Sequence, residues 1–301
     1  MPDKEIRTWE PEEFIHHINL PWQQYLDRLE KGLLKKTLKP TSWFIDLGGG
    51  DGRLHGVYKD IAQNKIIVDY SLDMLLAAQQ KITDIRSQNT YLVAADITNL
   101  PFKPNVFDGG LMLRVIHHIE EPSSALREAN RILKPGSSLF FEYQNKRNIN
   151  SLLKAVMGFT SLKKVLDQSP VEVKPLFWNY SPDYIEGLVR QYFYIYQVYG
   201  GGIFWNRKLI TTRVKKLESF DLLFAPLLGK IKLTHQLFME LRAKKEVRED
   251  ETCTKTPGDN ILGILQCNSC KIGNLEYYRG GLKCEQCGRI FRFSNNIIDF
   301  R

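Results

Sequence analysis

Residues 43–53 read WFIDLGGGDGR, a continuous apolar run that ends on an acid and spills directly into glycine. An unbroken apolar run of this length is a strand covered on both faces, and glycines let the backbone turn sharply and approach a ligand with no Cβ in the way. The helix expected next offers free N–H groups at its N-terminus. Two familiar phosphate-binding patterns fail here. A dinucleotide G-x-G-x-x-G needs glycine at the sixth place, which from Gly48 is Arg53, and no Gly-Lys-Ser/Thr follows to make a P-loop. The acid ahead of the loop disfavours a pyrophosphate and favours a cationic or hydroxyl-bearing ligand.

The same strand opens an alternation. Apolar runs at 44–47, 66–68, 91–94, 110–113 and 138–142 are separated by helical patterns such as SLDMLLAAQQKI and PSSALREANRIL. Strands alternating with helices imply a parallel sheet covered on both faces. Ahead of it, residues 10–37 carry a helical stripe of Phe14, Ile18, Leu26, Leu29 and Leu33, broken near Pro21. Ser181 followed by Pro182 caps another helix, and FYIYQVYG and HQLFMELRA read as the last strands. The expected fold is α/β, a doubly wound, mostly parallel, seven-stranded Rossmann-like sheet. The expected division is a helical segment at 1–40, a main domain at 41–245, a polar linker at 246–260 and a small module at 261–301.

Two further acids fall at strand ends. IIVDYS puts Asp69 after the second strand, where a carboxylate can accept from both hydroxyls of a ribose, and VAADITNLPF puts Asp96 past the third, in reach of a purine edge. With Asp46, Gly48, Gly50 and Gly52 in an acidic-x-Gly-x-Gly-x-Gly order, residues 40–145 resemble class I S-adenosylmethionine-dependent methyltransferases of the ubiquinone/menaquinone-biosynthesis type. DITNLPF and FDGGLMLRVIHHIEEPSSALREANRILKPGSSLFF carry that likeness. The resemblance implies S-adenosylmethionine as cofactor. It assigns Asp46 and the three glycines to the methionine and ribose end, Asp69 to the ribose hydroxyls, Asp96 to the adenine amine and Ile97 to the ring. Leu113 and Arg114 would offer backbone near the sulfonium. His117 and His118, after the fourth strand, border the active site in that family, and a histidine near neutrality can serve as a base. Their bland alternative is to fix the loop by hydrogen bonds. Tyr143 is a weaker pocket candidate, and LRVIHH excludes the Asn/Asp-Pro-Pro-aromatic run of adenine N6-methyltransferases. Residues 146–180 and 203–233 fall where this class places substrate lids. Trp22, Tyr25, Trp178 and Trp205 could add an aromatic wall.

Four of the five cysteines stand at 267, 270, 284 and 287, two C-x-x-C knuckles separated by thirteen residues. Four thiolates at this spacing suit a structural zinc ion with no open coordination position. Lys271 and Gly288 follow the knuckles, where tight turns aim N–H groups at sulfur. Disulfides are the competing reading. The charged start MPDKEIRTWEPEE, with no apolar signal core, argues for a reducing cytoplasm, and Cys253 lies alone in a polar stretch. Residues 261–301, through the tail NNIIDF, resemble the short zinc-ribbon activator subunit of tRNA, rRNA and release-factor methyltransferases.

The formal charge of +8 is confined to the last third. Residues 203–245 hold ten Lys/Arg against three acids, and 261–301 hold six against three. No run reaches the eighteen apolar residues of a membrane span. The expected acceptor is a small molecule such as a lipid, quinone or glycan precursor. The alternative is RNA or protein, with Lys215, Lys216, Arg289 and Arg292 on phosphates and Tyr277, Tyr278 and Phe291 stacking on bases. Peripheral membrane contact through the apolar–basic segments is a further partner reading.

Overall fold

The computed structural model describes residues 10–82, 89–203, 207–245 and 261–301; the side chains of 14–15 and 207–216 are outside the description. The expected linker at 246–260, with Cys253, and Trp205 lie outside the described residues. Helices α1 (Pro11–Ile18) and α2 (Pro21–Thr37) precede β1 (Thr41–Leu47), α3 (His55–Tyr58), β2 (Ala62–Asp69), α4 (Leu72–Lys81), β3 (Thr90–Ala94) and β4 (Phe107–Met112). After a 3-10 turn at Ile116–His118 come α5 (Pro122–Ile132), β5 (Leu133–Gln144), α6 (Ile149–Val156) and α7 (Leu162–Leu166). The hairpin β6 (Val171–Lys174) and β7 (Phe177–Asn179) leads to α8 (Pro182–Tyr192), β8 (Phe193–Gly201), α9 (Arg207–Ile231) and β9 (Gln236–Ala243). The ribbon adds β10 (Leu275–Tyr278), β11 (Gly281–Cys284), β12 (Ile290–Ser294) and β13 (Ile297–Asp299).

Two compact units share these elements. One comprises Lys39–Leu111, Ser123–Leu139 and Arg242–Arg301. Its strands run in the order β10-β11-β12-β13-β3-β2-β1-β4. Strand β1 pairs in parallel with both β2 and β4, Asp46 lying opposite Ile67 and Leu111, and β2 pairs in parallel with β3. Residues 43–47 of β1 are all buried, as a strand covered on both faces requires. Helix α4 starts because the Ser71 hydroxyl accepts from the Met74 amide at 3.3 Å, and it buries Met74, Leu75 and Ala78.

The ribbon is built into this unit. Asn295 and Asn296 take left-handed φ values of 51° and 67°, the turn that lets β13 return antiparallel to β12. Strand β13 then pairs in parallel with β3, Ile298 opposite Val93 and Asp299 opposite Ala94. Ile297 is fully buried in one cluster with Ile67, Leu75, Ala78 and Leu92. A second seam ahead of the first knuckle ties the Lys103 amide to the Ile264 carbonyl at 2.8 Å and the Gln266 amide to Pro101 at 3.0 Å. The ribbon thus continues the sheet at its β3 edge.

The other unit comprises Met1–Leu38, Met112–Pro122 and Phe140–Leu241. Its strands run β5-β9-β8, so the core strands number the expected seven. Pro21 divides the first helical stretch because it suits only a first turn. Helix α2 buries Tyr25, Leu26, Leu29, Leu33 and Leu34, and α9 packs on α2 and β8. The buried Tyr25 hydroxyl donates to the Asp221 carboxylate of α9, which also accepts from the Gly202 amide at 2.7 Å. Gly229 is required by contact: a Cβ there would lie 2.2 Å from the Val198 carbonyl oxygen. Among the described residues no helix is long and apolar enough to cross a membrane.

Candidate functional site

The loop after β1 is held in a shape that only glycine enters freely. Gly48, Gly50 and Gly52 have φ of 71°, 53° and 69°. Its amides are largely committed. Gly48 and Gly49 both donate to the Val68 carbonyl, at 2.8 and 3.0 Å, and Gly52 donates to the Gly49 carbonyl. Helix α3, with four residues, is too short to present an anion-binding terminus.

Asp46 is 2% exposed, and the Tyr58 hydroxyl donates to its Oδ2 at 2.9 Å. Burial lifts its carboxyl to about 6, against the pull of that hydrogen bond. Asp69 ends β2, where its Oδ2 accepts from the Gly50 amide at 2.9 Å and its Oδ1 from the Ser71 amide at 2.9 Å. Burial raises its carboxyl while these amides hold it down. Asp96 follows β3 and accepts both the Thr98 amide and hydroxyl at 2.8 Å, and Ile97 beside it is nearly buried. All four expected positions, with the glycine loop, lie in one compact unit.

The stretch 113–118 belongs to the other unit. Leu113 is buried, and Arg114 adopts φ 60°, rare for a residue with a side chain. Three groups that the sequence reading missed hold it there. The Arg114 amide donates to Glu142 Oε2 at 2.8 Å, its Nε to the fully buried Glu30 at 2.7 Å, and its Nη1 to Gln23 at 2.5 Å. The β6–β7 hairpin covers the histidines. Phe177 packs on His117 with ring centroids 4.4 Å apart, and His117 on His118 at 4.3 Å. His118 Nδ1 lies 3.2 Å from the Leu176 carbonyl, an acceptor that calls for a proton on Nδ1. The Tyr180 hydroxyl donates to the Ile116 and Ile119 carbonyls and fixes the turn. Tyr143 is fully buried, and burial raises its hydroxyl well above the usual phenol range. Trp22 and Trp178 are half-buried, whereas Tyr25 is wholly internal.

The four ribbon sulfurs converge. Cys267, Cys270, Cys284 and Cys287 place their Sγ atoms within 4.8 Å of one another, with no disulfide among them. The pairs Cys267–Cys287 and Cys270–Cys284 stand 3.7 and 3.6 Å apart. Tetrahedral zinc with Zn–S of about 2.3 Å sets its sulfurs about 3.8 Å apart, so the donor set fits such an ion. Lys271 and Gly288 take left-handed φ of 62° and 73°, the tight turns expected after each knuckle. Gly273 is the residue the spacing did not reveal: a Cβ there would lie 2.1 Å from Cys284 Sγ.

The ribbon tail reaches the strand ends that carry Asp69 and Asp96. Phe300 donates its amide to the Ala94 carbonyl at 2.8 Å, and Arg301, clamped on Asp299, donates to the Tyr70 carbonyl at 3.3 Å. Here a cleft of about 390 Å³ is lined by Tyr70, Arg289, Phe291, Arg292 and Arg301, with Asp299 the one acid among its lining residues. Of the expected stacking aromatics, Tyr277 is exposed, whereas Phe291 is 3% exposed and packs on Phe300.

Residues 45–141 match the family described as "Methyltransferase domain". A demethylmenaquinone methyltransferase of Paenarthrobacter aurescens is 35% identical over 95 residues, which are 32% of this chain and 36% of that protein. The chain therefore spans about a third of that relative's length. A ubiquinone biosynthesis O-methyltransferase of Aliivibrio fischeri is 26% identical over 54% of this chain and 68% of its own. In structure, the chain is similar to one from the complex between the Haloferax volcanii Trm112 methyltransferase activator and a methyltransferase. That likeness has a TM-score of 0.53 at 14% identity and covers 79% of this chain and all of the other, which speaks to fold. Strand order, glycine loop and domain match agree: residues 45–141 match a methyltransferase domain and carry a Rossmann-like fold.

Proposed function

We propose that this chain transfers a methyl group from S-adenosylmethionine to a small, partly apolar acceptor, with a quinol or phenol as the favoured class. The observation that carries the reading is the carboxylate set of Asp46, Asp69 and Asp96 around a glycine loop whose own amides are committed. That set suits a ligand rich in donors: an ammonium for Asp46, two ribose hydroxyls for Asp69, an adenine amine for Asp96 beside Ile97. Leu113 and Arg114 contribute backbone groups on the reacting side. When bound, S-adenosylmethionine supplies a methyl group on a sulfonium, a leaving group that needs no protonation. The protein then contributes alignment and exclusion of water, and a base where the acceptor carries a proton. His118, with Nδ1 turned to the Leu176 carbonyl, is assigned that proton through Nε2, and His117 is assigned to position it. The quinone-pathway names of two relatives support an acceptor with an apolar ring, and the O-methyltransferase name of one supports a hydroxyl on it. The four cysteines are assigned to one structural zinc ion, which stands outside the methyl-transfer step.

A second reading has its own observation. The ribbon adds a strand to the domain's sheet, and it lines an arginine-bearing cleft beside Tyr70. On that reading the acceptor is RNA or protein and 261–301 serves as the in-cis activating module. Transfer of labelled methyl groups to prenylated hydroquinones and to bulk tRNA separates the two. Label in the organic phase supports the first. Label in RNA, with salt-sensitive binding that Arg292→Glu abolishes, overturns it in favour of the second.

A further inference from the structure

Helix α6 is amphipathic in sequence yet buries none of its residues. Leu153, Val156, Met157 and, just past Gly158, Phe159 stand out from the surface, Val156 81% and Phe159 79% exposed. Leu162 and Leu166 of α7 continue the patch. An eight-residue helix is marginal in water by itself, and its apolar stripe gains nothing while it faces solvent.

A second stripe runs along α9. Phe220, Leu223, Phe224, Leu227 and Ile231 follow helical spacing and are all exposed, Leu223 71%. The opposite face carries Asp221, Ala225 and Leu228 into the core. The start of α6 is tied to the chain just past α9. The Ile149 amide donates to the Leu233 carbonyl at 2.8 Å, and Asn145 Nδ2 to the Lys232 and Thr234 carbonyls at 2.9 and 3.0 Å. Soluble surfaces rarely expose contiguous apolar area beyond a few hundred Å² without a use for it.

Charge selects the occupant. Between Gln144 and Asp167 the sequence has five Lys/Arg and no acid. Lys146 and Arg147 are engaged with other groups, the Ser169 carbonyl and Asp183. Lys154, Lys163 and Lys164 are exposed among the apolar side chains, and so is Lys230 on α9. The carboxylates in this half of α9 are turned away: Glu218 pairs with Arg28 at 2.8 Å, and Asp221 takes Tyr25 and Gly202. A two-fold contact between copies would set these lysines against themselves. A bilayer of anionic lipid takes both features at once, with apolar side chains at the acyl boundary and ammonium groups among the headgroups.

We propose that the α6–α7 and α9 faces dock the protein on an anionic membrane surface without spanning it. The proposal goes beyond the methyl-transfer reading and does not depend on it. The test is co-sedimentation of the full chain with vesicles of phosphatidylcholine, with and without about one-quarter phosphatidylglycerol. Binding should be ~tenfold tighter on the anionic vesicles and weaken with salt. The double variant Val156→Glu, Phe159→Glu should lose it at least ~tenfold with an unchanged denaturation midpoint, since both side chains are exposed. Ile290→Glu, an exposed apolar site on the ribbon, should bind as the parent does. Absence of binding to the anionic vesicles, or equal binding by the double variant, overturns the proposal. So does a dimer in analytical ultracentrifugation that Phe159→Glu dissolves, which would give the face to a second copy.

Discussion

Burial lifts the Asp46 carboxyl from its ordinary 3.8 to about 6, and this has a definite sign. Between those pH values the folded protein holds a proton that the unfolded chain has released, so the group's contribution to stability falls as pH rises through that window. Above pH 6 its cost is complete, on the order of 1–3 kcal/mol. Asp46→Asn should therefore raise the unfolding free energy of the ligand-free protein by that amount at pH 7.5, and the gain should shrink towards pH 4. Urea melts across pH check it. The same variant should bind S-adenosylmethionine more weakly, a trade between stability and function seen at many sites. Asp69→Ala should weaken that binding by about 1–3 kcal/mol in calorimetry, through lost hydrogen bonds to a charged group; an unchanged affinity would remove Asp69 from the site. Glu30→Ala removes the buried carboxylate that Arg114 Nε donates to and should cost about 3–5 kcal/mol in a denaturant melt. The acids and glycines were legible because strand-end acids and left-handed turns leave residue types at fixed spacings. Glu30 and Glu142 were not, because they reach Arg114 from 84 and 28 residues away and carry no local signature.

At the scale of elements, the pattern of apolar runs located every core strand to within a few residues, and Ser181 and Pro182 marked the start of α8. The hairpin β6–β7 escaped notice because VEVK is exposed throughout and FWN is too short to show a period. It nonetheless covers the histidines. The strand character of the NNIIDF tail was readable by resemblance, whereas its partner β3 was not, since 203 residues of sequence separate Ala94 from Ile297. That pairing predicts coupling. Ile297→Ala should destabilise by about 2–4 kcal/mol as a cavity beneath α4, and the loss should appear in the same denaturation transition as the sheet. Chelation of the ribbon metal should speed hydrogen exchange at the β3 amides Tyr91–Ala94. Unaltered β3 exchange after chelation would show that the ribbon holds its strand without metal.

For the whole molecule, elemental analysis should find one zinc per chain, and Gly273→Ala should lower that content because the new Cβ would occupy the space of Cys284 Sγ. The sequence divides into a main domain and an appended module, but compactness divides it otherwise: the ribbon falls in the same unit as the glycine loop and β1–β3. Spacing exposes metal ligands, whereas shared burial is visible only in three dimensions. The parallel seam between β13 and β3 also bears on manufacture. A ribosome adding about 5–20 residues per second needs roughly 10–40 seconds to pass from Ala94 to Ile297. Throughout that interval the nascent β3 has an open flank, the kind of edge that recruits other strands. Release of chains stopped short of residues 297–299 should therefore yield aggregates rather than a smaller folded domain.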